Sequence, residues 1–307
     1  MSAIVFPGQG SQYPLMAMDF NENFSISRII FSEIEEVTKL NIRKIILENN
    51  DNILDQTNFT QISIFAASIV IYRTLVNEIG IENINPKIVL GHSLGEYTAL
   101  VANHTLNLSN ASYLIKLRGE LMNSAIKPNI SGMAAIIGKS SEFINNVIIN
   151  NNLNIQIAND NSPMQVVVSG LIDDIDSAEN LFISQGVKRY IKLNVSAAFH
   201  SKYMIDAQNE LKQEINKINF LSSNIPIISN FNASINSNPK DIIYSLVNQM
   251  ASKVNWVDSI KTLENTKESS IIEIGPGKVL SGLISRITKK FDIISIDKIE
   301  DLKKFEK

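Results

Sequence analysis

The chain has 307 residues, which is long enough for one large domain or for a large domain with a small one inserted. Hydrophobic residues make up 44% and charged residues 19%, as in ordinary globular proteins, and the formal net charge of -3 disfavours nucleic-acid binding, which requires a basic face. Cysteine is absent, which excludes a disulfide framework and thiolate chemistry, and the three histidines lack metal-ligand spacing, so no metal site is expected.

The bulk properties also bear on where the protein works. No apolar run approaches the roughly 20 residues that span a bilayer. Residues 1–10 lack the basic and apolar segments of a secretory signal. We therefore expect a cytoplasmic protein that does not contact a membrane, and a monomer.

Short apolar strands alternate along the chain with longer helical segments, a pattern typical of an α/β fold with a mainly parallel sheet. The strands are predicted at residues 3–6, 87–90, 225–229, 270–274 and 292–296. The helices are predicted at residues 27–38, 61–78, 96–103, 110–123, 202–218, 239–250 and 256–265. Ligands bind at the carboxyl ends of the strands in such sheets, so the site is expected there.

Residues 130–194 have a different order of elements. A strand at 133–137 and a helix at 140–150 are followed by strands at 154–158 and 165–169, a helix at 174–185 and a strand at 187–193. The order β-α-β-β-α-β is that of the ferredoxin-like arrangement. The sequence therefore predicts an inserted subdomain of residues 130–194 within a large domain made of residues 1–129 and 195–307.

Residues 91–95 (GHSLG) follow a predicted strand and precede a predicted helix, which is the strand–turn–helix elbow of Gly-x-Ser-x-Gly nucleophiles. The two glycines allow a tight turn that exposes the hydroxyl of Ser93 and directs the Leu94 amide towards a reacting carbonyl. The N-terminus of the following helix favours an oxyanion at that point. A glycine-rich turn with an incidental serine is the alternative. Ser11, in residues 8–12 (GQGSQ), is a weaker candidate because it lacks the flanking elements.

A serine nucleophile needs a base, and histidine is the usual one. His92 adjoins the serine, but neighbouring side chains diverge on an elbow, so it is expected to pack behind the turn. His104 follows the elbow helix as a capping or surface group. By elimination His200 is the best base; the alternative is a histidine that bonds the backbone at a helix start. No acid for a triad is evident, because the candidates fall in the inserted stretch: Asp160, Asp173 and Asp174. A serine–histidine dyad oriented by a backbone carbonyl is at least as plausible.

Arg118 lies on the apolar face of the helix predicted at residues 110–123, since it continues the spacing of Ala111, Leu114 and Ile115. An isolated buried charge is unfavourable, so the guanidinium requires a partner. An internal carboxylate and the carboxylate of a bound substrate both satisfy that requirement.

Six ordered segments carry a resemblance to a known family. They are residues 6–12 (FPGQGSQ), 91–96 (GHSLGE), 116–122 (KLRGELM), 132–138 (GMAAIIG), 199–201 (FHS) and 273–280 (EIGPGKVL). Through them the chain resembles the malonyl-CoA:acyl carrier protein transacylases, the acyltransferases of fatty-acid and polyketide synthesis, over nearly its whole length. The fold that this implies is a hydrolase-like α/β domain with a ferredoxin-like insert, which agrees with the pattern read above.

The resemblance also implies a role for each matching residue. Ser93 would be the nucleophile and His200 the base. The backbone amides of Gln9 and Leu94 would form the oxyanion hole. Arg118 would pair with the malonyl carboxylate, and the backbone carbonyl of Gln249 would orient the histidine. Leu94 and Phe199 occupy the two positions that bear on substrate choice, and both are of the malonyl type.

The implied reaction takes a malonyl group from its coenzyme A thioester to the phosphopantetheine thiol of an acyl carrier protein, in fatty-acid biosynthesis and without a cofactor. Alternatives are a free-standing malonyl acyltransferase of a polyketide synthase and a serine thioesterase or hydrolase. Carrier proteins are usually acidic, so a basic docking site is expected among five residues: Lys188, Arg189, Lys202, Lys278 and Arg286.

Overall fold

The computed structural model describes residues 2–305, which form two sheets and the helices around them. The strands are β1 (Ser2–Phe6), β2 (Pro86–Gly91), β3 (Ser131–Ile137), β4 (Ile155–Ser162), β5 (Gln165–Leu171), β6 (Arg189–Lys192), β7 (Ile227–Ile228), β8 (Ile235–Asn236), β9 (Ser270–Ile274) and β10 (Asp292–Ile296). The helices are α1 (Met18–Asn23), α2 (Ser25–Thr38), α3 (Ile42–Glu48), α4 (Thr57–Ile79), α5 (Ile81–Ile84), α6 (Gly95–Ala102), α7 (Leu108–Ser124), α8 (Ser141–Asn150), α9 (Ile172–Ser184), α10 (Ile205–Ile215), α11 (Pro239–Gln249), α12 (Trp256–Glu264) and α13 (Val279–Ile287). Short 3-10 helices occupy Asn50–Asp55, Lys202–Met204 and Ile299–Phe305.

The larger sheet has six strands in the order β10-β9-β1-β2-β7-β8. All pairs are parallel except the last, in which β7 and β8 run antiparallel. Strands β1 and β2 end side by side, because Phe6 is the register partner of Gly91. The loops that follow them, which carry Gln9 and Ser93, therefore start at the same edge of the sheet.

The smaller sheet is antiparallel, with the order β4-β5-β3-β6. Residues along its strands alternate between two cores. In β3, Ala134 and Ile136 belong to a separate apolar core with α8 and α9, whereas Met133 and Ala135 join the main core. Successive strand residues point to opposite faces, so this sheet covers its own helices with one face and the larger domain with the other.

The fold class predicted from the sequence is confirmed: a mainly parallel sheet is accompanied by an antiparallel β-α-β-β-α-β unit. The predicted division at residues 130 and 194 flanks the smaller sheet and stays a prediction. Met1, Glu306 and Lys307, at the ends of the predicted large domain, lie outside the described residues.

Predicted elements that are shorter in the structure include one helix and one strand of the large domain. The helix expected at residues 202–218 begins as a 3-10 turn, in which the Ser201 side chain accepts from the Tyr203 N–H, and its α-helical part ends at Ile215. The strand expected at 225–229 pairs with β2 through Ile227 and Ile228 alone.

Helix α4 is long and apolar enough to cross a membrane, although the sequence analysis expected no such run. Within the fold, 83% of its most apolar window is buried, and it packs against α2, α6 and α7. That burial is typical of a core helix. The lack of membrane contact stays a prediction.

Candidate active site

Ser93 lies in the turn between β2 and α6, at the carboxyl edge of the parallel sheet. Its φ of 53° is in the left-handed region, which is strained for a residue with a side chain. The flanking glycines permit this turn, because a Cβ on Gly91 would collide with the backbone of Gly95, and one on Gly95 with the carbonyl of Phe6. The Ser93 N–H donates to Asn230 Oδ1 at 2.7 Å. The turn is thus packed against the end of β1 through Gly95 and held at its backbone by Asn230. The hydroxyl of Ser93 remains partly exposed.

The imidazole of His200 bonds the hydroxyl of Ser93, with Nε2 2.8 Å from Oγ. Its Nδ1 lies 3.1 Å from the carbonyl oxygens of both Gln249 and Ser252. Carbonyl oxygens only accept, so the ring proton is on Nδ1 and the lone pair of Nε2 faces the serine. This is the geometry of a dyad in which backbone carbonyls orient the base. The family resemblance indicated Gln249 for this position, and nothing in the sequence analysis indicated Ser252.

The electrostatic surroundings keep this imidazole neutral. Burial, followed by the positive charge of Arg118, lowers the pKa of His200 to about 3. At neutral pH the ring therefore carries no charge and is free to accept a proton from Ser93.

The other candidates for nucleophile, base and acid have different partners. The Ser11 hydroxyl donates to a carbonyl of its own loop at 2.8 Å. His92 packs behind the turn, as expected, with Nε2 2.8 Å from Asn161 Oδ1. His104 is exposed beyond the end of α6. Three aspartates make no hydrogen bond to His200: Asp160, Asp173 and Asp174.

Arg118 lies on the apolar face of α7 and is 1% exposed. Its Nη1 donates to Gln61 Oε1 at 2.5 Å, and its Nη2 donates to Gln249 Oε1 at 3.0 Å and to Ser93 Oγ at 3.1 Å. The guanidinium carbon lies 5.7 Å from the ring centroid of Tyr97. Among residues 2–305, no carboxylate forms an ion pair with Arg118, and its buried Nε has no hydrogen-bond partner. Of the two partners considered from the sequence, this arrangement favours a bound carboxylate.

A cavity of about 290 Å³ opens over these groups. Gln9 and Leu94, the expected oxyanion residues, line it beside Ser93 and His200, and Phe199 lines it as well. The remaining wall is largely apolar and is built by β3, β5 and α13 together: Met133, Ala135, Val167, Leu280 and Leu283. The structure therefore brings six of the seven sequence-predicted site residues to one cavity, and the seventh, Gln249, bonds Arg118 and His200 beside it.

Three polar residues at the site had no role in the sequence analysis. Gln61 of α4 bonds Arg118, Asn230 after β7 bonds the Ser93 backbone, and the carboxylate of Glu96 on α6 accepts from Gln249 Nε2 at 2.7 Å. Glu96 belongs to the segment GHSLGE, so its position was visible without its partner. Gln61 and Asn230 lie in no recognisable motif.

Comparison with known proteins places this site in a family context. A sequence model of the acyl transferase domain matches residues 3–303. The malonyl CoA-acyl carrier protein transacylase of Bacillus subtilis is 34% identical over 303 residues, which cover 98% of this chain and 94% of that protein. The polyketide biosynthesis malonyl CoA-acyl carrier protein transacylase PksC of the same organism is 35% identical over 296 residues, covering 94% of this chain and 98% of that one.

A similar solved structure comes from a complex. It is a malonyl-transacylase bound to its holo type II polyketide synthase acyl-carrier protein, with a TM-score of 0.92 and 30% identity. The match covers 99% of this chain and 98% of that one. The likeness therefore extends over the whole fold, including both sheets.

Proposed function

The chain belongs to the acyl transferase domain family and is an acyltransferase, and from this we propose that it moves a malonyl group from malonyl-CoA to the phosphopantetheine thiol of an acyl carrier protein. The transfer proceeds in two halves through a malonyl ester on Ser93. The observation that carries the malonyl assignment is the buried guanidinium of Arg118, 3.1 Å from the Ser93 hydroxyl and without an ion pair among residues 2–305.

In the first half, Ser93 Oγ attacks the thioester carbonyl while its proton passes to His200 Nε2. The negative charge on the carbonyl oxygen is stabilised by two backbone amides, that of Gln9 in the loop after β1 and that of Leu94 at the N-terminal end of α6. The carbon–sulfur bond then breaks, and the coenzyme A sulfur takes the proton from His200. In the second half, the carrier-protein thiol gives its proton to His200 and attacks the ester, and Ser93 recovers its hydroxyl.

Arg118 selects the acyl group. In a malonyl thioester one methylene separates the carboxylate from the reacting carbonyl, so a group attacked by Ser93 has its carboxylate close to the neighbouring guanidinium. The donors that can serve it are the unpartnered Nε and the Nη2 hydrogen that faces Ser93 Oγ, while the other Nη2 hydrogen bonds Gln249. A charge-assisted hydrogen bond is worth about 1.5–3 kcal/mol, and an acetyl group lacks the acceptor.

Leu94 and Phe199 exclude a branched acyl group. Their side chains are 1% and 5% exposed, respectively, and both line the cavity. A methyl branch beside the malonyl methylene would have to pack against this phenylalanine, which crowds it. Such single-methyl discrimination is worth about 1–3 kcal/mol.

The carrier protein docks around the mouth of the cavity, where basic residues converge. Arg286 donates to Gln165, which lines the cavity, at 2.9 Å. Gln165 and Arg189 are both register partners of Ile137, so Arg189 lies two strands away on the same face, at about 10 Å. Lys188 adjoins it in sequence, and Lys278 precedes Val279 of the cavity lining.

Lys202 lies apart from this group. Its Nζ donates to Asn154 Oδ1, at the opposite end of the small sheet from Gln165. The docking proposal therefore keeps four of the five basic residues named from the sequence.

Both fatty-acid and polyketide carrier proteins fit this proposal, since the two relatives from Bacillus subtilis are 34% and 35% identical to the chain. The proposed setting is fatty-acid biosynthesis in the cytoplasm, by a monomer that needs no cofactor. Transfer rates to one carrier protein of each kind distinguish the two pathways.

Intact mass spectrometry tests the central step. The protein mixed with malonyl-CoA alone gains one malonyl increment, which is absent in Ser93→Ala and retained in the matched control Ser11→Ala. An increment that persists in Ser93→Ala contradicts the assignment of the nucleophile. Steady release of malonate without carrier protein would instead identify a hydrolase.

A further inference from the structure

Glu96 is a buried acid next to the active site that the reaction described above does not use. It is the second residue of α6 and is 1% exposed. Its Oε2 accepts from Gln249 Nε2 at 2.7 Å and from the Asn230 N–H at 3.1 Å. Within residues 2–305 no basic side chain forms an ion pair with it. A buried carboxylate held in this way by an amide calls for an explanation beyond packing.

Both hydrogens of the Gln249 side-chain amide are donated to groups at the site. Nε2 donates to Glu96 and, at 2.9 Å, to the carbonyl of Ser93, while Oε1 accepts from Arg118 at 3.0 Å. The backbone carbonyl of the same residue accepts from His200 at 3.1 Å. One glutamine therefore contacts the proposed nucleophile, the proposed base and the carboxylate-binding arginine.

The contacts on either side decide which way this amide is turned. A carboxylate only accepts hydrogen bonds, and a guanidinium only donates them. Glu96 therefore requires the NH2 end of the amide, and this leaves the oxygen for Arg118. If the acid is removed, the NH2 end of the amide keeps the carbonyl of Ser93 as its one remaining acceptor and loses the charged one, so the amide is held less firmly in the orientation that Arg118 needs.

We propose that Glu96 is a positioning residue, which acts through Gln249 to hold Ser93, Arg118 and His200 in reactive geometry. The proposal rests on the function proposed above and adds a residue to it. Carboxylate, amide and guanidinium form a hydrogen-bonded chain, in which the negative charge of Glu96 polarises the amide towards Arg118. This indirect link supplies a counter-charge through one Nη2 hydrogen and leaves Nε and the Nη2 hydrogen that faces Ser93 for a substrate carboxylate.

The helix dipole supports this assignment, and the pKa of Glu96 sets the pH range in which it applies. Glu96 lies in the first turn of α6, where the helix dipole favours a negative charge. Burial raises the pKa of the Glu96 carboxyl to about 7, and the bonds from Gln249 and Asn230 and the charge of Arg118 oppose that rise. Each of these opposing contacts stabilises the ionised form in which the acid orients the amide, and that form predominates above about pH 7.

A double-mutant cycle tests whether Glu96 acts through Gln249. The four proteins are the wild type, Glu96→Gln, Gln249→Ala and the double variant, and Gln249→Ala keeps the backbone carbonyl that His200 needs. The measurement is the single-turnover rate of malonyl-enzyme formation by quenched flow and mass spectrometry. Glu96→Gln alone slows acylation about tenfold or more, the effect of weakening one charge-assisted hydrogen bond. In the Gln249→Ala background it changes the rate less than twofold or so, because the residue through which it acts is gone.

Glu273→Gln is the matched control. Glu273 is a buried acid that accepts from the Leu280 and Ser281 amides at 2.9 and 2.7 Å and does not contact Gln249. Any loss of acylation rate that Glu273→Gln causes is the same in the wild-type and in the Gln249→Ala protein. Thermal melting establishes that each variant is folded. The proposal is overturned if Glu96→Gln leaves acylation unchanged, or if its effect is as large in Gln249→Ala as in the wild type.

A second readout separates this proposal from the assigned function. Labelling of Ser93 by a neutral fluorophosphonate requires the serine and the base but no malonyl recognition. The labelling rate also replaces the acylation rate if Gln249→Ala forms the malonyl ester too slowly to measure. The same non-additive pattern is expected with this probe. If the wild type forms no malonyl ester but the four proteins show the non-additive pattern with the fluorophosphonate, the malonyl function is refuted and the role of Glu96 stands.

Discussion

Replacing Arg118 with alanine removes recognition of the substrate carboxylate while leaving Ser93 and His200 in place. The guanidinium is 1% exposed and reaches Ser93 Oγ at 3.1 Å, and among the described residues no other lysine or arginine bonds that oxygen. Loss of a charge-assisted hydrogen bond of about 1.5–3 kcal/mol corresponds to a fall in kcat/KM for malonyl-CoA of about 10- to 150-fold.

Acetyl-CoA provides the comparison within the same variant. An acetyl group has no carboxylate, so it forgoes none of this interaction when the arginine is removed. The space vacated by the side chain opens to the cavity of about 290 Å³, and water can solvate the oxygens of Gln61 and Gln249 that Arg118 had bonded. Acetyl transfer in Arg118→Ala is therefore unchanged or faster.

The assay is single-turnover acylation by each thioester, followed by quenched flow and intact mass spectrometry. Arg43→Ala is the matched control, because Arg43 pairs with Glu35 at 2.5 Å and is partly exposed, away from the cavity. Equal losses with malonyl-CoA and acetyl-CoA in Arg118→Ala, accompanied by a lower melting temperature, would show that the arginine serves the fold and would refute the reasoning.

Three further predictions address the base, the acyl pocket and the docking surface. Because the pKa of His200 is lowered to about 3, its neutral form persists as the pH falls. In Glu96→Gln, where the neighbouring carboxyl no longer titrates, the rate of acylation is therefore constant from about pH 8 to about pH 5. A fall in the rate centred near pH 6.5 contradicts this prediction. Phe199→Ala raises the ratio of methylmalonyl to malonyl transfer by about tenfold or more when the two thioesters compete, and an unchanged ratio places the selectivity elsewhere. Arg189→Glu raises KM for the carrier protein but not the rate of acylation by malonyl-CoA, whereas the surface control Lys217→Glu changes neither; equal KM values in the two variants dismiss the docking surface.

The fold was predictable where the hydrophobic pattern is long or strictly periodic. Helix α4, with 23 residues, and the β-α-β-β-α-β order of the smaller sheet follow from such patterns. Helices α1 and α3, of six and seven residues, were not predicted because so short a segment shows barely two turns of periodicity. Helix α13 was missed for a different reason: it follows residues 275–277 (GPG), which read as a turn within a motif.

The site was predictable only where local sequence carries the geometry. The elbow around Ser93 is built by residues that are neighbours in the chain, so its glycines reveal it. Asn230 and Gln61 act through contacts with residues 137 and 57 positions away, respectively, and no local pattern encodes such a pair. The acceptor for His200 Nδ1 is a backbone carbonyl, which every residue has, and only the resemblance to a family indicated Gln249.

In the proposed function, substrate recognition and base strength are coupled, because both depend on the charge of Arg118. After burial, that charge is the largest factor that lowers the pKa of His200. A malonyl carboxylate bound to the guanidinium offsets the charge, so the imidazole becomes a stronger base at the moment when the correct acyl group is in place. An acetyl group leaves the charge uncompensated and the base weak. We therefore expect Arg118 to discriminate in the rate of the chemical step as well as in binding, and this is why its removal is expected to leave acetyl transfer intact or to accelerate it.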